Sequence, residues 1–529
     1  MRIALVQPPR RYWPYVSEGD NYMLPQALPA LAAVLREAGH EVTVLDCLPI
    51  HMGWRSLAAY LKKLDPQVVG CGENHALWAS EALRFFKLCR EVIPGAVRVA
   101  GGAHFTNLWH RYLGLPEGME HPQGLQPDPA AAEPPRDIDI CVIGEGEVTF
   151  RELCDELERA QPDLARVDGI AWRQDGQAFR SAPRALVADL DDLPMPAYDL
   201  VPVHLYGTSR YLFSPQATTI HHSRGCTSQC AFCAWWTTMA ERGYDAQGRA
   251  LLKARWRTKS PERAFAELEL LYKRYGRQAF VWVDESWNIS SEWSDAFADL
   301  VLRSGLKPRW MAFFRADGVL RDEENGVLEK LVRAGLAHVL IGVERAEDET
   351  LIGFNKRFYQ GGVPARALGI FTQRYPQVFL QGTFIVGVKD ETPRSLERQA
   401  ALARSLKIDF PAFHPITPVP GTPIYDEAIR AGKITEEMFD EFDWMTPVLD
   451  SDFMTREEIA EAMHRMNETF VNPRWLARGL MSRTRYKRDM YIWFALVSAR
   501  MALDMARKRL NPFDVERYQQ LLTPRWYDS

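Results

Sequence analysis

Three cysteines, Cys226, Cys230 and Cys233, stand in Ser223-Arg224-Gly225-Cys226-Thr227-Ser228-Gln229-Cys230-Ala231-Phe232-Cys233, with the spacing Cys-x3-Cys-x2-Cys. Thiolates this close select a soft metal, and iron–sulfur clusters are held by such thiolates. Three protein ligands on a four-iron cluster leave one iron open. An open iron can bind a small molecule and pass it an electron, so the spacing points to catalysis. The plainer alternatives are a structural zinc site and buried thiols without metal. Zinc normally takes four closed ligands, and His221 and His222 sit too close upstream to match the usual spacings.

A loop of this kind needs a scaffold, and the surrounding sequence alternates strand and helix. From about Ala217 the pattern predicts strands at Thr218–His222, Ala279–Asp284, Arg309–Phe314, His338–Val343, Val378–Val386 and Phe410–Ile416. Helices such as Pro261–Tyr275 and Glu329–Ala334 fall between them. About six such units predict a partial or full (β/α) barrel over 206–430, with active residues at the carboxyl ends of its strands. Those ends carry Asp284-Glu285, Arg315 and Asp317, Glu344, and Gly387. One such residue alone is as often a helix cap or a surface ion pair. Several converging on the face that bears the cysteines indicate a site.

Residues 1–160 show a second βα series. Strands are expected at Arg2–Val6, Glu41–Asp46, Gln67–Gly70, Val97–Ala100 and Asp137–Ile143, with helices at Leu28–Ala38, Trp54–Lys63, Ser80–Val92 and from Val148. This rhythm means a parallel, doubly wound sheet, whose ligands bind at the carboxyl ends of the strands. Gly101-Gly102-Ala103-His104 and Gly144-Glu145-Gly146-Glu147 lie there, though glycine after a strand is usually only a turn. Residues 115–136 hold six prolines and three consecutive alanines, and read as a mobile surface insertion. A hairpin turning at Asp175-Gly176 and a linker at Asp189–Pro196 fill 161–205, and 431–529 reads as a helical tail. Within the tail, Arg485–Leu510 is basic at both ends and apolar in the middle. Packing on the barrel is favoured for it over contact with a membrane surface or a large apolar substrate.

Composition narrows the class. The 529 residues allow three or four domains, and 47% apolar with 25% charged residues is ordinary for a soluble globular protein. A net charge of −5 disfavours a nucleic-acid binder. Cys47, Cys71, Cys89, Cys141 and Cys154 are scattered in apolar surroundings and read as buried thiols, which fits a reducing cytoplasm. The opening apolar run is too short for a signal peptide, and no run reaches a membrane span.

The cysteine spacing with Phe232 before the last cysteine resembles the radical S-adenosylmethionine (radical SAM) superfamily. Over roughly residues 1–430 the chain is similar to the cobalamin-binding branch of that superfamily. The resemblance rests on Leu31-Ala32-Ala33-Val34-Leu35-Arg36-Glu37-Ala38-Gly39-His40-Glu41-Val42, the two glycine motifs after strands, Leu190-Asp191-Asp192-Leu193-Pro194, Ala334-Gly335-Leu336, Ile341-Gly342-Val343-Glu344 and Pro420-Gly421-Thr422-Pro423. Within the branch, Phe354-Asn355-Lys356, Phe384-Ile385-Val386-Gly387 and the basic tail resemble the anaerobic magnesium-protoporphyrin monomethyl ester cyclases. Other members of the branch are methylases of unactivated carbon or phosphorus centres.

The resemblance implies a 4Fe-4S cluster on Cys226, Cys230 and Cys233, with S-adenosyl-L-methionine (SAM) and cobalamin as further cofactors. It implies a small-molecule substrate and an external low-potential electron donor of flavodoxin or ferredoxin type. Glu344 is suited to the ammonium group of SAM, and Arg315 to a carboxylate or the ribose side. Cobalamin contacts are expected from Gly101, Gly102, His104, Gly144, Glu145, Gly146 and Glu147. The Asp-x-His-x-x-Gly loop of many cobalamin domains is absent. Asp46 and His51 are five apart, with Gly53 at the wrong offset. Glu73, Asn74 and His75 follow the third strand, and His75 is either a cobalt ligand or a structural histidine. The implied reaction is methyl transfer to an unactivated centre. Oxidative cyclisation, transfer of another SAM fragment and a non-catalytic cobalamin sensor are the alternatives. Trp235-Trp236 either lines a pocket for an aromatic or lipid-like molecule or packs in the core.

Overall fold

The computed structural model describes residues 1–14, 16–115, 137–213, 215–506 and 513–529. Apart from Leu115, the insertion expected at 115–136 lies outside the described residues.

The first sheet has seven strands: β1 (Arg2–Gln7), β2 (Glu41–Asp46), β3 (Val68–Gly72), β4 (Val97–Gly101), β5 (Ile140–Val142), β6 (Ile170–Gln174) and β7 (Gln177–Arg180). Their order is β2-β1-β3-β4-β5-β6-β7. The first five run parallel, and the β6–β7 hairpin adds two antiparallel strands beside β5. The sheet therefore continues beyond residue 160, into the segment that the sequence set apart as hairpin and linker. Asp175 and Gly176 have φ of 50° and 82°, the two left-handed residues that a two-residue hairpin turn requires. Strand order reverses between β1 and β3, which makes a crevice at their carboxyl ends.

The second sheet has six parallel strands in sequential order: β8 (Ala217–Ile220), β9 (Ala279–Trp282), β10 (Arg309–Phe314), β11 (Leu336–Glu344), β12 (Phe379–Val386) and β13 (Phe410–Pro415). β8 and β13 form its two edges, so the barrel is partial. Local chemistry sets the connecting helices. In Pro261–Tyr275, the Ser260 side chain accepts from Arg263 N at 3.1 Å, Pro261 opens the first turn, and Gly276 closes the helix in the left-handed region. Ile220, Phe280, Trp282, Trp287, Trp310, Ile341 and Phe384 belong to one large core beneath this sheet.

The tail is helical and packs on both units. Helix Arg485–Ala506 buries Tyr486, Met490, Tyr491 and Phe494 against Phe379 and Trp475. Phe494 stacks on Phe410 at 3.7 Å. A Cβ on Gly479 would stand 2.0 Å from the Tyr491 ring, so only glycine allows this approach. Packing on the barrel, favoured from the sequence, is what this helix does. Tyr425, Phe439, Phe442 and Tyr527 pack into the core of the first sheet. Among the described residues no helix is long and apolar enough to cross a membrane.

Candidate functional site

The cysteine loop leaves β8 and is held at every stage. Asp284, buried after β9, accepts at Oδ1 from His222 N (3.0 Å), Ser223 N (2.6 Å) and Ser223 Oγ (2.6 Å), and lies 2.8 Å from His222 Nδ1. Burial opposes its charge, but His222 and Ser223 hold its pKa below the usual carboxylate value. Gly225 N donates to Glu285 Oε2 at 3.1 Å. Gly225 has φ +80°, and a Cβ there would sit 2.0 Å from Arg255 O. Arg315 Nη1 donates to Thr227 Oγ1 (3.1 Å) and Ser228 Oγ (2.5 Å), and its guanidinium is also paired with Asp317. Asn355 Nδ2 donates to Gln229 O at 3.0 Å, and Ala231 N to Phe354 O at 3.1 Å.

Cys226, Cys230 and Cys233 open into a cavity of about 390 Å³ at the carboxyl ends of the barrel strands. Phe232, Trp235, Trp236, Phe313, Phe384 and Trp444 give it aromatic walls. Glu285, Arg315, Glu344, Lys356 and His414 are its charged or titratable members besides the thiols and Tyr359. Burial pushes the Cys230 thiol up to about 11 and the Cys233 thiol up to about 12, so a metal that binds them must displace protons. Among the described residues no three His, Cys, Asp or Glu side chains are grouped to hold a single metal ion.

Glu344 lies at an irregularity of β11, where pairing with β12 shifts register between Gly342 and Glu344. Its φ of +65° is a strained conformation for a side-chain-bearing residue. Gly342 leaves room for its carboxylate, because a Cβ there would stand 2.2 Å from Glu344 Oε1. That oxygen accepts from Lys356 Nζ at 2.5 Å. Burial works against the Lys356 ammonium, yet Glu344, Tyr359 and Cys230 beside it raise its pKa. His414 Nδ1 lies 3.1 Å from Trp444 O, and burial lowers the pKa of the imidazole against the opposing effects of Trp444 and Glu344. The cavity therefore brings together Glu344, Arg315, Glu285, Phe232 and the three cysteines. Three residues singled out with them, Asp284, Asp317 and Gly387, are not in its lining, and Asp317 pairs with Arg315. Asp284 straps the loop from behind, and Gly387 donates its N–H to Glu391 Oε2 at 2.9 Å.

At the first sheet, Gly72, Gly101 and Gly144 leave the carboxyl edge open. A Cβ on Gly144 would meet nothing within 4 Å, and Gly72 and Gly101 have neighbours only at 3.6 and 3.9 Å. Such an edge fits a large planar ligand. Gly102, at φ +84°, is instead pressed against the Glu73 backbone. His104 points inward. Its Nε2 lies 2.7 Å from Tyr112 OH, and Phe439 meets its ring edge-on, so the side chain packs the interior and does not reach the edge. Gly146 packs on Leu31. Glu145 and Glu147 are also not free for a ligand. Arg224 donates to Glu145 Oε1 at 2.9 Å and to Glu147 Oε1 at 2.5 Å, and Arg257 donates to Glu145 Oε2 at 2.9 Å. His75 sits after β3 in a frame of tryptophans, two of which, Trp235 and Trp444, line the cavity.

Lys356, His414, Tyr359 and Trp444 are cavity residues to which sequence reasoning gave no role. Lys356 stands in a motif that carried the resemblance. Trp444 lies past residue 430, in the tail.

No family model matches the chain. It is 26% identical over 460 residues to an uncharacterized methyltransferase of Pyrococcus horikoshii, covering 86% of this chain and 90% of that one. It is 25% identical over 474 residues to the anaerobic magnesium-protoporphyrin IX monomethyl ester cyclase of Cereibacter sphaeroides, covering 88% of this chain and 69% of the relative. Its fold matches the radical S-adenosylmethionine methyltransferase TsrM of Kitasatospora setae, in a structure with cobalamin and a [4Fe-4S] cluster bound. The TM-score is 0.60 at 18% identity, over 82% of this chain and 75% of that one. These are the groups of proteins that the sequence resembles.

Proposed function

We propose that this chain, which shares its fold and its relatives with cobalamin-dependent radical SAM enzymes, reductively cleaves SAM and methylates an unactivated centre of a small molecule. The observation that carries this reading is the single cavity shared by Cys226, Cys230, Cys233, the Glu344–Lys356 pair and the tryptophans that face the first sheet.

The three thiols would hold the cluster. Glu344 and Lys356 offer an anion and a cation side by side, a match for the ammonium and carboxylate of SAM. Arg315 keeps the loop in place through Thr227 and Ser228. The open glycine edge at Gly72, Gly101 and Gly144 would receive the corrin. When bound, the cluster with SAM supplies a deoxyadenosyl radical and cobalamin supplies a methyl group. The aromatic walls exclude water, which protects reactive species from side reactions. Electrons would come from an external flavodoxin- or ferredoxin-type donor.

The relative from Cereibacter sphaeroides supports a second reading, in which the same radical step ends in oxidation or ring closure. Product analysis separates the two. Methyl transfer forms deoxyadenosine together with S-adenosylhomocysteine, whereas the oxidative reading forms deoxyadenosine without it.

A further inference from the structure

Among the described residues, the carboxyl edge of the first sheet holds a histidine with a buried ring nitrogen that has no hydrogen-bond partner. The crevice between β1 and β3 is where an open sheet of this strand order binds its ligand. The loop after β3 enters it with Glu73, Asn74 and His75. Glu73 Oε1 accepts the backbone N–H groups of Asn74 (2.8 Å) and His75 (3.0 Å), which fixes the loop and sets where the imidazole stands.

Four indole rings surround that imidazole, each edge-on: Trp235 at 5.5 Å, Trp78 at 5.6 Å, Trp13 at 5.9 Å and Trp444 at 6.4 Å. None offers it a lone pair. His75 Nδ1 is buried without a partner. Leaving a buried polar atom unpaired is costly, and buried polar atoms are normally paired. His104 also has an unpartnered Nδ1, but its other ring nitrogen is paired. His104 is bonded to Tyr112, and His51 to Tyr22 at 2.6 Å.

The surroundings also set the protonation state. Burial, with the Arg10 charge beside it, pulls the His75 pKa down to about 4. At neutral pH the imidazole is uncharged and keeps a lone pair, the form that binds metals. It lies three residues past Gly72 of the open glycine edge, and two of the rings that meet it, Trp235 and Trp444, line the cavity.

We propose that His75 is the nitrogen donor this chain offers to the cobalt of a corrin seated in the β1–β3 crevice. This rests on the cobalamin reading above, and it replaces the missing Asp-x-His-x-x-Gly histidine with one from a different loop.

Electron paramagnetic resonance of the full chain loaded anaerobically with cob(II)alamin tests it without any turnover. With natural-abundance protein, each high-field cobalt line is expected to split in three from one axial ¹⁴N. With protein labelled with [¹⁵N]histidine, the same lines are expected to split in two. His75→Ala should bind cobalamin and lose the histidine splitting. A threefold splitting untouched by the label means that the corrin's own base is the ligand, and overturns the proposal. So does a spectrum without nitrogen splitting. Failure to bind cobalamin at all removes the cobalamin reading itself, a distinct outcome from binding without histidine ligation. The labelling arm uses the unmutated chain, so a misfolded variant does not affect it.

Discussion

The guanidinium of Arg224 donates to the carboxylate of Glu147 at 2.5 Å, and joins the residue two places before Cys226 to the loop that follows β5. Glu145 of that loop takes a second bond from Arg224 at 2.9 Å and another from Arg257. Arg257 is the antiparallel partner of Arg224 in the short pairing of Ser223–Gly225 with Trp256–Thr258. Charge-assisted bonds in a buried setting are strong and directional. The entry to the cysteine loop is thus referenced to both sheets at once, so the cysteine loop and the glycine edge of the first sheet are held in fixed relation.

Breaking this junction should cost both stability and coupling. Arg224→Ala leaves two buried carboxylates without one partner, and about 3–5 kcal/mol of stability is expected to be lost. Arg224→Lys keeps the charge but cannot fork between two acids. It is expected to form deoxyadenosine with less S-adenosylhomocysteine than the unmutated chain. Urea unfolding and product ratios check the two effects. An unchanged midpoint and ratio would show that the junction is incidental.

Cys230→Ala should abolish cluster absorbance near 400 nm and all SAM cleavage while leaving the fold intact, as read by circular dichroism. The side chain sits in a loop already fixed by Asp284, Arg315 and Asn355, so removing one sulfur does not unfold it. Cleavage at the unmutated rate would rule out the cluster assignment.

The Glu344–Lys356 pair makes a prediction by contrast. Lys356→Met strands a buried carboxylate and is expected to lower stability by about 3–5 kcal/mol. Adding Glu344→Gln should recover most of that loss, because the uncompensated charge is then gone. Both the double variant and Glu344→Ala should bind SAM more weakly, with cluster absorbance retained. Isothermal titration with SAM and unfolding curves measure these separately. SAM affinity equal to that of the unmutated chain would remove the pair from the binding site.

Glu285 gives a pH dependence of known sign. Burial, with the neighbouring Asp284 charge, raises its pKa from 4.5 to about 8. Between these values the folded chain holds a proton that the unfolded chain has released. Its contribution is full below the unfolded pKa and is lost as pH rises through about 8. Urea midpoints should therefore fall between pH 5 and pH 8 by more in the unmutated chain than in Glu285→Gln. Parallel pH profiles would contradict the assignment.

Much of the scaffold was legible because its signals are local. Glu41–Asp46 and Pro261–Tyr275 have the same bounds in sequence and structure, since strand alternation and the Ser260, Pro261 and Gly276 signals act over neighbouring residues. Helix Gly102–Leu113 was not anticipated. It starts at a glycine pair, which after a strand reads as a turn, and its polar residues are buried with its apolar ones. The role of Glu145 was hidden for another reason. Its partner Arg224 lies 79 residues away, and a carboxylate after a strand looks the same whether it awaits a ligand or an arginine. Trp444 and His75 meet only through tertiary packing, and no spacing in the chain announces that contact.

The most direct test is anaerobic incubation of the reconstituted chain with SAM, cobalamin and a low-potential reductant, with nucleoside products read by mass spectrometry. The expected result is deoxyadenosine, accompanied by S-adenosylhomocysteine, from the unmutated chain and neither product from Cys226→Ala, Cys230→Ala or Cys233→Ala. Absence of both products from the unmutated chain with an intact cluster would contradict the account, as would their persistence in the cysteine variants.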